Sequence, residues 1–170
     1  MPAAARPPIE DYAFIGNRRT GAVISREGSI DWLCLPDFDD PACFTAILGG
    51  PEHGRWLLTA SGCTEVERTY VHDAMVLQTT YTTPTGRARV TDVMPTESGR
   101  ADLLRRVEGL EGTVTMQHEW IVRPWYGRQR PWIHTGDPTR LSAVAGRRAT
   151  CSPATRCRRC ASRGSCASSR

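Results

Sequence analysis

Residues 15–56 read IGNRRTGAVISREGSIDWLCLPDFDDPACFTAILGGPEHGRW, and this stretch decides the fold. Two short apolar runs, 20–25 and 30–35, are each of strand length, and Arg26-Glu27-Gly28-Ser29 between them has the composition of a tight hairpin turn. A third run, 55–59, is equally short. One segment, 41–48, carries helical signals instead. Asp39 or Asp40 stands at its capping position, Pro41 suits the first helical position, and Gly49-Gly50 stops it.

Outward from this stretch the chain keeps a period of two. Val66, Arg68, Tyr70 and His72 fall on one strand face, and Glu65, Glu67, Thr69 and Val71 on the other. Residues 75–83 give the next strand, Pro84-Thr85-Gly86 a turn, and 87–94 the return. Residues 103–107 and 113–122 predict two more strands, joined by a hairpin at Glu108-Gly109-Leu110-Glu111-Gly112. Many short strands with regular turn signals predict an all-β chain, an antiparallel β-sandwich with one short helix near 41–48.

The chain has 170 residues, enough for one domain with a buried core. All 22 basic residues are arginine, which points to a GC-rich gene. The formal charge of +4 is unevenly placed: the segment 147–170 holds seven arginines and no acid, so residues 1–146 carry −3. A mildly acidic body argues against a nucleic-acid partner. No apolar run approaches the roughly 18 residues of a membrane span, and MPAAARPPIEDYAFIG lacks the apolar core of a secretory signal. A cytoplasmic location and no membrane partner are therefore expected. Cys34, Cys43 and Cys63 sit among apolar neighbours and read as small hydrophobes, and a total of seven cysteines fits poorly with a disulfide framework. His53, His72, His118 and His134 show no metal spacing, and neither a GxSxG nor a phosphate loop is present, so no metal and no cofactor are expected.

Several motifs recur in a fixed order. Asp11-Tyr12, Ile15-Gly16 and Thr20 precede Gly28-Ser29-Ile30-Asp31-Trp32-Leu33-Cys34, and Pro36, Phe38-Asp39 and Phe44 follow. Farther on come Arg68, Tyr70, Gly86, Thr91-Asp92-Val93-Met94-Pro95, Arg105-Arg106-Val107-Glu108-Gly109, Gly112, Tyr126-Gly127-Arg128 and Pro131-Trp132. In this order and spacing they resemble the opening of bacterial family-15 glycoside hydrolases, the glucoamylase and trehalase-like enzymes, over residues 9–146. The resemblance implies a large antiparallel super-β-sandwich that precedes an (α/α)6 barrel. Residues 1–8 are then a flexible N-terminus and 9–146 a truncated N-terminal domain whose sandwich is incomplete. The implied partners are the enzyme's own barrel and an α-glucoside substrate. The implied chemistry is inverting hydrolysis of α-glucosidic bonds in maltose-like oligosaccharides, starch ends or trehalose. It needs two carboxyl groups about 6.5–9.5 Å apart with a water between them. In the family both glutamates lie in the barrel, so no catalytic residue is expected in this chain.

The acids present read accordingly. Glu97, Glu108, Glu111 and Glu119 read as surface carboxylates, and nothing near Glu108 or Glu111 would raise a pKa. Asp92, which interrupts an apolar strand, is expected to accept hydrogen bonds from backbone or arginine. The best substrate-rim candidates are Trp32, Asp37, Phe38 and Asp39: two aromatic faces and two carboxylates in one loop, suited to stacking on and hydrogen-bonding a sugar ring. Packing is the plainer use of Trp32 and Phe38, and equally of Trp120, Trp125 and Trp132. A stand-alone carbohydrate-binding β-domain built on Trp32 and Phe38 is the alternative to a hydrolase domain.

The segment RRATCSPATRCRRCASRGSCASSR, 147–170, has no aromatic residue and no Ile, Leu, Val or Met, so it is expected to be disordered. Its cysteines 151, 157, 160 and 166 offer half a zinc knuckle at Cys157-Arg158-Arg159-Cys160, with arginines for phosphate. The genetic code offers a simpler account. Every cysteine codon begins TG, and with the preceding base it encodes leucine, methionine or valine in the neighbouring frame. Four cysteines then mark four apolar positions of a frameshifted gene.

Overall fold

The computed structural model describes residues 7–96, 101–137, 140–145 and 148–150. In chain order the strands are β1 (Tyr12–Gly16), β2 (Gly21–Ser25), β3 (Ser29–Cys34), β4 (Ala42–Phe44), β5 (Arg55–Ala60), β6 (Glu65–Tyr70) and β7 (Val76–Thr83). They continue with β8 (Gly86–Val93), β9 (Leu104–Gly112), β10 (Met116–Ile121), β11 (Trp132–Asp137), β12 (Arg140–Ala145) and β13 (Arg148–Thr150). The described residues divide between 130 and 131 into two compact units. The first contains a sheet ordered β1-β2-β3-β5-β10, with β4 paired to β3, and a second sheet ordered β6-β7-β8-β9. The second unit is the meander β11-β12-β13. Its last strand pairs with β12 from within the segment read as a tail, and residues 151–170 lie outside the described residues.

All pairings are antiparallel, so the chain is an all-β sandwich as its turn spacing predicts. The two sheets of the first unit pack face to face. Leu58 and Ala60 of β5 meet Tyr81 of β7 and Val90 of β8, with Cys63, Val66, Val114 and Met116 around them. Alternation produces this: β7 buries Leu77, Thr79 and Tyr81, and β8 buries Ala88, Val90 and Asp92, every second residue turning inward. Burying each large aliphatic side chain contributes about 1.5–3 kcal/mol.

Polar side chains also join the two sheets. The Tyr81 hydroxyl donates to Leu58 O at 3.4 Å and to Glu27 O at 3.5 Å. Arg105, on β9, donates from Nε to Asp92 Oδ1 at 2.9 Å and reaches the opposite sheet at Trp56 O, 2.6 Å, and Gly28 O, 2.7 Å. Asp92 thus accepts from an arginine, as its position in an apolar strand predicts. The free edge of β1 is covered from the second sheet. Tyr70 of β6 donates to Phe14 O at 2.8 Å and accepts from Phe14 N–H at 3.0 Å, which satisfies groups that would otherwise template association.

Two expectations are corrected. Residues 41–48 are not a helix: 42–44 form β4, and only Ala46–Leu48 make a single 3₁₀ turn. The local capping signals lose to pairing with β3, which buries Ala42, Cys43 and Phe44 together. The expected hairpin at 108–112 is also absent. Residues 104–112 run as one strand along β8, with a bulge that leaves Leu110 without a partner between Gly109↔Ala88 and Glu111↔Arg87. After Gly112, at φ 58°, the chain crosses to the other sheet, where β10 pairs with β5. Glycines that read as turn residues here serve a bulge and a crossover.

The turn between β2 and β3 depends on Gly28. Its φ is 85°, and a Cβ there would lie 2.2 Å from the Tyr81 hydroxyl and 2.4 Å from Leu58 O. Left-handed backbone alone costs a non-glycine residue about 1–3 kcal/mol, and the collision adds to it. Gly28→Ala is therefore expected to lower unfolding free energy by at least that amount in urea titrations, and an unchanged midpoint would contradict this packing.

Asp31 of β3 is 8 % exposed. It accepts from the Ser29 hydroxyl at 2.5 Å and the Tyr12 hydroxyl at 3.1 Å. Burial raises its pKa above the ordinary carboxylate value, while the two hydrogen bonds and Arg55 pull it down by less. A carboxyl raised on folding binds more protons in the native state. Its contribution is fully present below the unfolded pKa and is lost as pH rises through the folded one. The stability of the parent relative to Asp31→Asn should fall between about pH 4 and neutrality, read from urea midpoints. A relative stability that rises with pH would show that the charged form is the favoured one.

Candidate functional site

Trp32 is the one residue of β3 that is not buried, since it alternates outward between Asp31 and Leu33. The loop that follows is fastened to the β1–β2 turn. Asn17 Oδ1 accepts from the N–H groups of Arg19, at 3.0 Å, and Thr20, at 2.9 Å, and the Thr20 hydroxyl donates to Cys34 O at 2.6 Å. Arg19 then clasps Asp37 with both arms, Nε to Oδ1 at 2.8 Å and Nη2 to Oδ2 at 2.9 Å, and its carbonyl accepts from Phe38 N–H at 2.9 Å. The hydrogen bond and charge of Asp37 raise the Arg19 pKa. Asp37 and Asp40 close the loop on each other: the Asp37 N–H donates to Asp40 Oδ2 at 3.2 Å and the Asp40 N–H to Asp37 O at 3.2 Å.

The four sequence candidates therefore separate. Trp32 sits beside Tyr126, with ring centroids 6.1 Å apart and planes tilted by 44°. Phe38 is 57 % exposed, and among the described residues no ring stacks on it. Asp39 is exposed at the loop tip. Asp37 is turned to Arg19, so its two oxygens orient the loop before they can meet a sugar hydroxyl.

Tyr126 belongs to a turn that sequence reasoning missed. Trp125, Tyr126 and Gly127 have φ of 57°, 57° and 83°, a run of left-handed residues. For L-residues this conformation costs about 1–2 kcal/mol each. It is held by bonds from Gly127 N–H to Arg123 O, 3.2 Å, Arg128 N–H to Trp125 O, 3.2 Å, and Gln129 N–H to Pro124 O, 3.1 Å. Two further bonds dock it on β4: Arg123 N–H to Cys43 O, 3.0 Å, and Tyr126 N–H to Ala42 O, 3.2 Å. Those carbonyls are available because 42–44 is a strand; in a helix they would be turned along its axis. The strained turn presents Tyr126, 49 % exposed, next to Trp32, and carries Trp125, 54 % exposed. Backbone strain of this kind concentrates at functional surfaces. Of the other tryptophans read as packing, Trp120 is half-buried and Trp132, in the second unit, is 80 % exposed.

The remaining acids and thiols have structural occupations. Glu119 is ion-paired with Arg55 across β10 and β5, and Glu108 with Arg106 at 2.7 Å. Glu111 is exposed on β9, and Glu97 lies outside the described residues. Cys34 and Cys43 are buried as small hydrophobes, and burial raises the Cys34 thiol pKa. Cys63 is half-buried against the inter-sheet core. Among the described residues no group of three His, Cys, Asp or Glu side chains is placed to hold a metal, and no helix is long and apolar enough to cross a membrane.

Comparison with known proteins shows the family. The family described as trehalase-like, N-terminal, matches residues 2–145. The trehalase of Mycolicibacterium smegmatis is 39 % identical over 89 residues, which are 52 % of this chain and 13 % of that protein. The trehalase of Thermoplasma volcanium is 32 % identical over 135 residues, 75 % of this chain and 22 % of that protein. The chain thus spans less than a quarter of the length of these relatives. No solved structure matches it at a significant level. A match across nearly all of the two-sheet sandwich and into the strands beyond it shows that the chain belongs to the trehalase-like N-terminal domain family.

Proposed function

We propose that this chain is the non-catalytic N-terminal domain of a glycoside hydrolase acting on α-glucosidic bonds, of trehalase or glucoamylase type. In this reading the reaction takes place in a separate (α/α)6 barrel, and the loop carrying Trp32 and Phe38 contributes to the rim of its pocket. The observation that carries the proposal is the fate of the buried carboxylates. Inversion needs one carboxylic acid and one carboxylate facing a common site about 6.5–9.5 Å apart. Asp92 is fully engaged by Arg105, and Asp31 by Tyr12 and Ser29. Among the other described acids, Glu108 and Glu119 are ion-paired and Asp39 and Glu111 are exposed on the surface. What the domain offers is a positioned aromatic surface, and the chemistry belongs elsewhere.

A second reading, a carbohydrate-binding domain in its own right, is favoured by the Trp32–Tyr126 pair and by the exposed Trp125 in the same turn as Tyr126. Aromatic faces stack on the apolar faces of pyranose rings with little entropy cost. Under the first reading the purified chain is expected to release no glucose from trehalose, maltose or starch above the buffer rate. Turnover that copurifies with the chain and tracks its concentration would overturn it. Titration with trehalose and maltoheptaose, followed by tryptophan fluorescence, separates the two readings. A saturable change abolished by Trp32→Ala and retained in a surface control favours the binding domain; a flat titration favours a rim that is complete only with the barrel.

A further inference from the structure

β9 ends its sheet, and among the described residues no strand pairs with it on the side away from β8. Such an edge offers a row of backbone donors and acceptors to another strand. It also carries three exposed apolar side chains, Leu104 at 53 %, Val107 at 44 % and Leu110 at 41 %. Charges on an edge ordinarily blunt it; apart from the buried Arg105, β9 has Arg106, Glu108 and, near its end, the exposed Glu111, and the first two are paired with each other within the strand at 2.7 Å. Their arrangement permits a different outcome.

Antiparallel pairing of β9 with a second copy about Val107 places Val107 against Val107, Arg106 against Glu108 and Leu104 against Leu110. Leu104, Val107 and Leu110 then each meet an apolar residue, and Arg106 and Glu108 form two opposite-charge pairs related by the two-fold axis, with Glu111 beyond them opposite Leu103. Moving the centre by one residue removes the match. About Glu108 it sets two carboxylates face to face and Arg106 against Leu110; about Arg106 it opposes two guanidinium groups and sets Leu104 against Glu108. Opposite charges directly across a sheet are favourable and like charges are not, so one register is selected. Leu110, at the bulge, has no backbone partner on β8, and its side chain is 41 % exposed. We propose that β9 is a homodimer interface, with two copies of this chain joined across a two-fold axis at Val107 into one continuous eight-stranded sheet, four strands from each copy. A two-fold interface of this kind is self-complementary by construction.

The test is sedimentation velocity of the full chain, with reductant present, over a hundredfold range of concentration. The expected result is a monomer–dimer equilibrium for the parent and monomers for Arg106→Glu and for Glu108→Arg, each with unchanged far-ultraviolet circular dichroism. A one-to-one mixture of the two variants should regain dimer, because each then presents the charge that the other lacks. A parent that is monomeric throughout, variants that dimerise as the parent does, or a mixture that stays monomeric would each overturn the proposal. Val107→Cys provides an independent reading: mild oxidation should join the two substituted positions in a disulfide that peptide mapping locates, and its absence would place the axis elsewhere.

Discussion

A guanidinium buried between two sheets is tolerable only if its donors are used, and Arg105 uses them on groups from both. Its side chain is 1 % exposed, as is that of Asp92. Nε and Nη2 bond the two carboxylate oxygens, at 2.9 Å and 3.3 Å, while Nη1 and Nη2 bond Trp56 O and Gly28 O on the facing sheet. The guanidinium also lies 5.4 Å from the centroid of the Trp56 ring, close enough for a cation–π attraction. Trp56 Nε1–H donates in turn to His118 Nε2 at 2.9 Å, which requires that nitrogen to be unprotonated. Partial burial and the Arg105 charge both lower the His118 pKa, in keeping with that arrangement.

From this centre the geometry of the site follows. Arg105 holds the carbonyl of Gly28, and Tyr81 fills the space where any side chain at Gly28 would stand. The β2–β3 turn is thereby fixed against the second sheet, and β3 leaves it with a set phase that turns Asp31 inward and Trp32 outward. At the far end of β3 the loop is clasped by Arg19, and β4 returns beside it to carry the left-handed turn with Trp125 and Tyr126. The aromatic surface is therefore assembled by backbone placement from three separate segments. Asp92, the acid most unusual in the sequence, is committed to holding the sheets together.

Much of this was legible from local chemistry. The β2–β3 hairpin follows from Gly28 in a short polar turn, and the strands of the second sheet follow from strict alternation. Asp92 in an apolar strand announced a hydrogen-bond donor, backbone or arginine, and the donor is Arg105. What was illegible was decided by distant segments. Pro41 after two aspartates is a sound helix start, yet β3 offers 42–44 a place to pair and bury, and tertiary pairing wins. Gly109 and Gly112 look like the two ends of one turn, and only the register with β8 shows that one lies beside a bulge and the other opens a crossover. No propensity marks Trp125 and Tyr126 for left-handed backbone; Gly127 was the single local hint.

The claim that the Asp92–Arg105 pair holds the sandwich together is tested most directly by a double-mutant cycle in urea, with Asp92→Asn, Arg105→Met and the pair combined. Breaking a buried pair from one side strands an uncompensated group and costs about 3–5 kcal/mol. The account predicts losses of that order for each single variant, and a double variant less destabilised than their sum by about 1–3 kcal/mol. Single losses within about 0.5 kcal/mol, the range of ordinary surface substitutions, or strict additivity in the double variant, would contradict it.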